Sequence, residues 1–136
     1  MPIYTTKSFI NNDEVYMADI AVSKKMAQMA IDALEDRKGE DIKVIDITEI
    51  STLADYFIIA SGTNVNQVQA MADSVQEVLG RAGHMTKNVE GYDTGNWVLL
   101  DFGDIIVHVF DKENRLFYDL ERIWRDGKFI EKAELN

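Results

Sequence analysis

Residues 96–110, NWVLLDFGDIIVHVF, restrict what this chain can fold into more than any other stretch. Two runs of β-forming residues, Trp97 to Asp101 and Asp104 to Phe110, flank Phe102-Gly103. With those two residues as the loop, Gly103 supplies the positive φ that a tight hairpin turn needs. The register follows from that choice. Leu100 faces Ile105 and Val98 faces Val107 on an aliphatic face, while Trp97 faces His108, Leu99 faces Ile106 and Asp101 faces Asp104 on a mixed one. Carboxylates placed directly opposite each other repel. An outside cation would relieve Asp101 and Asp104, and at a solvated turn screening alone does so. Loop tips are ordinarily polar, so Phe102 either tucks back into the core or meets a partner.

The rest of the chain supplies partners for the hairpin. Residues 1–18 hold the only proline and no clear period; they read as a loose arm, with Met17-Ala18-Asp19 as a plausible alternative start. A helix is expected from about Asp19 or Ser23 to Arg37, with Met26, Met29, Ala30, Ala33 and Leu34 on one stripe and Lys38-Gly39 ending it. The methionines read as adaptable core filler. Lys43 to Thr48 alternates as a strand, and Tyr56 to Ala60 is a continuous apolar run, as in a strand covered on both faces. Ser61-Gly62-Thr63-Asn64 leads into a long helix from about Val65 to Arg81, with Asn64 as cap and Gln67 completing a capping-box pattern. Backbone N–H groups at such a helix start can hold an anion, but SGT lacks the spaced glycines and lysine of a phosphate loop. Met85 to Glu90 is a short strand. A last helix from about Glu113 to Arg125 carries Leu116, Phe117, Leu120, Ile123 and Trp124 on one stripe and Tyr118 on the outer side, a contact residue or a scattered surface aromatic. Residues 128–136 read as a charged tail. Strands interleaved with helices, plus one hairpin, give an α/β layer fold with at least one antiparallel pair.

Composition narrows the function. At 136 residues and 46% apolar content the chain supports one ordinary core. Cysteine is absent, which excludes disulfides, thiol catalysis and zinc–thiolate sites and fits the cytosol. There is no run of about 18 apolar residues, so no membrane helix, and the first residues do not have the pattern of a secretory signal. The net charge is −10, and residues 90–126 hold nine Asp/Glu against four Lys/Arg. A basic protein suits that balance better than a nucleic-acid backbone or an anionic membrane; the plainer reading is that the charge serves solubility.

The blocks DYFIIASGTNVNQVQAMA, EGYDTGNWVLLDFGDIIVHVF and RLFYDLERIW, in that order, closely resemble the ribosomal silencing factor (Iojap-related) family. The resemblance spans about Ile20 to Asp126 and sets a domain at 19–127. It implies an α/β fold with a mixed sheet of about five strands and helices packed on it, similar to nucleotidyltransferases without their catalytic carboxylates. It further implies a cytoplasmic, often homodimeric, non-enzymatic protein with no cofactor or metal and no sequence-specific nucleic-acid binding. Its expected partner is the large ribosomal subunit, through ribosomal protein L-fourteen; occupying that surface blocks small-subunit joining and represses translation. By motif position, the partner surface would involve Trp97, Phe102 and Tyr118, with Asp101, Asp104 and Glu121 nearby. A large-subunit assembly factor is the alternative. A nucleotidyltransferase-type enzyme needs two carboxylates on one strand two residues apart, whereas Asp101 and Asp104 are three apart across a turn. A serine hydrolase would need His108 or His84 as base for Ser61, with no spacing to support either; His108 reads instead as a cross-strand partner of Trp97.

Overall fold

Two apolar strands lie side by side at the centre of the sheet and run parallel: β2 (Tyr56–Gly62) and β5 (Ile105–Asp111). They are described, with all of residues 12–136, by a computed structural model. β1 (Glu40–Asp46) flanks β2, and β6 (Lys128–Ile130) flanks β1; β4 (Trp97–Asp101) flanks β5, and β3 (Asn88–Glu90) flanks β4, all antiparallel. The result is a six-stranded mixed sheet in the order β3-β4-β5-β2-β1-β6. Every residue of β2 is buried, as its unbroken apolar run requires.

One face of this sheet is covered by α1 (Asn12–Asp36) and α2 (Val65–Arg81). Met26, Ala27, Ala30, Ile31 and Leu34 of α1 and Val68, Met71, Ala72, Val75 and Leu79 of α2 pack onto Val44, Tyr56, Ile58, Val98, Leu100, Val107 and Val109. The stripes read from periodicity are therefore the buried ones, apart from half-buried Met29 and from Val65 and Ala82, which are exposed at the ends of the second stripe. Asn64 caps α2 by accepting from the N–H of Gln67 at 2.9 Å. Gln67 reaches back to the N–H of Thr63 at 2.7 Å, one residue outside the capping-box position.

The opposite face is covered by two short helices, α3 (Lys112–Tyr118) and α4 (Leu120–Ile123). Leu120 of this segment is buried there and Trp124 partly buried, over Ile45, Ile47, Phe57, Ile59, Ile106 and Phe110. The continuous helix expected over 113–125 does not form. Asp119 adopts the left-handed conformation (φ 43, ψ 57) and separates α3 from α4, a conformation that Asp tolerates better than most residues. The expected stripe is split accordingly: Leu116 is 83% exposed and Ile123 67% exposed.

Three further expectations change at the ends of the chain. Residues 12–18, read as part of a loose arm, begin α1; residues 1–11 of that arm lie outside the described residues. The helix ends on Lys38 rather than Gly39 in the left-handed position (φ 61). Residues 128–136, read as a charged tail, supply edge strand β6 and a 3-10 turn, Lys132–Leu135, that buries Leu135 against the α1 side of the core. Gly127 permits this return: a Cβ there would lie 2.5 Å from Ile45 Cγ2.

Candidate functional site: an aromatic face over the second side of the sheet

The hairpin register sets what this face presents. Trp97 pairs with Phe110, Leu99 with His108, Leu100 with Val107 and Asp101 with Ile106. This lies two residues from the expected register. The N–H of Phe102 donates to the carbonyl of Ile105 at 3.0 Å, so the loop is Gly103-Asp104 and not Phe102-Gly103. Gly103 is at φ +88 in the first loop position, where type II′ hairpins place glycine. Asp101 Oδ1 accepts from its N–H at 2.7 Å and supports the turn. Shifting by two preserves each side chain's face, which is why the aliphatic and mixed faces survive the change.

The shift corrects the expected site in two ways. Phe102 is not at an exposed tip: it is 4% exposed and joins Val98 and Leu100 in the α1/α2 core. The sheet therefore lies between Phe102 and Trp97. Asp101 and Asp104 are not opposite each other either. They occupy the turn end of the hairpin, roughly 13 Å along β4 from Trp97 at about 3.3 Å per residue. Asp104 is exposed, and its carbonyl accepts from the N–H of Asp55 at 2.8 Å. Asp55 is held by Ser23 Oγ, which donates to its Oδ2 at 2.5 Å. Desolvation raises the Asp55 pKa above the usual carboxylate range, the Ser23 bond opposes this, and Asp104, Asp19 and Asp46 push it further up. This acidic end was not read from the sequence, because its members come from four separate segments.

Trp97 and Tyr118 are brought together. Their rings lie 4.6 Å apart between centroids, and Tyr118 is 39% exposed. Phe110 stacks under Trp97 at 5.1 Å, and Phe57 meets His108 edge-on at 4.9 Å and Trp124 edge-on at 4.8 Å. The Trp97 indole N–H donates to His108 Nδ1 at 3.0 Å, so His108 is a partner of Trp97, reached diagonally. His108 is buried, and burial lowers its pKa to about 4. Its Nδ1 accepts, so the neutral ring carries its proton on Nε2, which has no hydrogen-bond partner among the described residues. A neutral, donor-held imidazole in an aromatic setting is a structural prop, and it is poorly placed to act as a general base.

Glu121 does not stand free as a rim carboxylate. Its Oε1 accepts from Arg115 Nε at 2.8 Å. Arg115 also donates through its Nη1 to Ser61 Oγ at 2.9 Å, which gives the buried Ser61 a structural role. The sequence reading missed Arg115; its only signal was a cation beside the β-strand end in an otherwise acidic segment. Among the described residues no group of three or more His, Asp and Glu could hold a metal, and no helix is long and apolar enough to cross a membrane.

This geometry has relatives. The family described as "Ribosomal silencing factor during starvation" matches residues 20–136. The ribosomal silencing factor RsfS of Bacillus subtilis is 42% identical over 104 residues, covering 76% of this chain and 88% of that protein. A mouse protein named for mitochondrial assembly of the ribosomal large subunit is 31% identical over 79% of this chain and 48% of its own length. A crystal structure of a Chromobacterium violaceum protein superposes with a TM-score of 0.72 at 42% identity, covering 74% of this chain and 83% of that one. A match across nearly all of the described domain, together with such relatives, makes this chain a member of the ribosomal silencing factor family.

Proposed function

We propose that this protein represses translation by binding the large ribosomal subunit through ribosomal protein L-fourteen and blocking small-subunit joining. The observation that carries the proposal beyond the family is the Trp97–Tyr118 pair, half-open to solvent over a bed of Phe110, His108 and Phe57. Aromatic side chains on rigid supports are the usual anchors of protein interfaces. The net charge of −10 and the acidic turn end at Asp101 and Asp104 favour a basic ribosomal partner and speed its approach. Phe102 serves the core in this reading and contributes to the surface only by supporting β4.

The same reading makes the protein cytoplasmic, non-catalytic and able to self-associate, with dimerisation and ribosome binding competing for the aromatic face. Asp101 spends an oxygen on the turn and does not share a strand with a second carboxylate two residues away, so no two-carboxylate metal site forms on β4. The deciding experiment is sedimentation of the purified protein with large subunits, paired with a subunit-joining assay. Binding to large subunits, absence from complete ribosomes and inhibition of joining support the proposal; cosedimentation with complete ribosomes at the same level refutes it. The mouse relative's name favours a second reading, a role in large-subunit assembly. In that case deletion would accumulate immature large subunits, while added protein would leave joining of mature subunits unaffected.

A further inference from the structure

Most of the aromatic face is covered by apolar groups, yet a charged side chain is embedded at its edge. The Arg115 side chain is only 10% exposed. Its guanidinium reaches the end of β2 through Ser61 Oγ at 2.9 Å and reaches α4 through Glu121 Oε1 at 2.8 Å. Its own carbonyl accepts from the N–H of Asp119 at 3.0 Å, closing α3 just before the left-handed break. One residue thus links α3, the sheet and α4. Tyr118 lies one helical turn beyond Arg115, on the last residue of α3, with its ring against Trp97 and Phe110.

Burying a guanidinium is unfavourable unless its donors are matched, and an apolar side chain would cover this face without that cost. What an apolar residue cannot do is tie three elements together in one geometry. The planar fork of arginine does so. We propose that Arg115, with Ser61 and Glu121 as its acceptors, is the positioning residue that sets Tyr118 against Trp97 for partner binding. The proposal rests on the reading of that pair as the partner surface. It moves Glu121 from the rim of the surface to the machinery beneath it.

The test is a double-mutant cycle on the full chain, measured with purified large ribosomal subunits, alongside the nuclear Overhauser contact between the Tyr118 and Trp97 rings. Arg115→Met should remove that ring contact and weaken subunit binding about tenfold, while in a Tyr118→Ala background the same substitution should weaken it by less than about twofold. Arg115→Lys should fail to restore either readout, since a single ammonium cannot reproduce the fork. Should Arg115→Met fail to fold, Ser61→Ala and Glu121→Met each remove one arm and carry the same two measurements. An intact ring contact in well-folded Arg115→Met overturns the proposal, as does a loss of binding that simply adds to that of Tyr118→Ala. If Tyr118→Ala itself binds normally, the partner surface is wrong, and the ring contact in Arg115→Met alone decides the positioning role.

Discussion

The two faces of the sheet are built by different means. The α1/α2 face is a dry layer in which two helices of three or more turns supply long aliphatic stripes, and its buried strand residues are almost all aliphatic. The other face is covered by two helices of seven and four residues, separated by a left-handed Asp119. It is held by aromatic contacts, one buried neutral histidine and one embedded arginine. Short helices gain little stability of their own and depend on tertiary ties. A face completed by polar locks leaves Trp97, Leu99 and Trp124 only partly covered. If Trp97 and Tyr118 form the partner surface as proposed, the fold puts its stability on one side of the sheet and its recognition on the other.

Phe102 tests the division between the two faces most directly. As a core residue of the dry face, Phe102→Ala should cost about 3–5 kcal/mol of stability, measured by urea unfolding. Any subunit binding by the folded fraction should then be near normal. A variant as stable as the parent that fails to bind would return Phe102 to the contact surface.

The second test concerns His108, whose folded pKa of about 4 lies below its ordinary 6.5. As pH falls, the unfolded chain takes up the proton first. The stability conferred by keeping this ring neutral is complete above 6.5 and is lost as pH drops toward 4, by up to about 3 kcal/mol. Protonation also ends Nδ1's capacity to accept from Trp97. Asp55 acts in the opposite sense: with its pKa raised by desolvation, the folded state keeps that proton longer, and stability declines as pH rises through the carboxylate range. Urea midpoints that stay flat between pH 7 and pH 5 would contradict a buried neutral histidine.

Tyr118→Ala should separate the faces more finely. It should weaken large-subunit binding about thirtyfold, equivalent to about 2 kcal/mol, with a much smaller change in stability. Normal binding by this variant would misplace the surface. The smallest expected effect is that of Trp97→Phe, which keeps an aromatic ring over Phe110 but deletes the bond to His108 Nδ1. It should cost about 1 kcal/mol of stability, and His108 should then titrate differently in its proton resonances. A variant with unchanged stability and unchanged His108 resonances would show that the bond contributes nothing.

What could be read from the chain alone was local. The unbroken apolar run of β2, the stripes of α1 and α2, the Asn64 cap and the two-faced alternation of the hairpin each depend on neighbours within one or two turns. The family resemblance is likewise carried by contiguous blocks, and the match over residues 20–136 agrees with it. Of the expected contact residues, the adjacency of Trp97 and Tyr118 could be anticipated, because an outward tyrosine on a helix after β5 passes near the hairpin's open end. Phe102 could not be placed, because a loop moved by one residue is nearly as good locally, and the buried space beneath α1 and α2 adds to the Asp101–Gly103 bond in selecting Gly103-Asp104. The break at Asp119 was hidden for the same reason: helical periodicity continues through it, and the Arg115 tie to Ser61, 54 residues away, holds α3 in place. Strand β6, the buried Leu135 and the acidic end at Asp55 also join segments far apart in sequence. Residue pattern specifies which face of an element is apolar, but long-range packing decides which element covers it and which polar groups must be buried to close it.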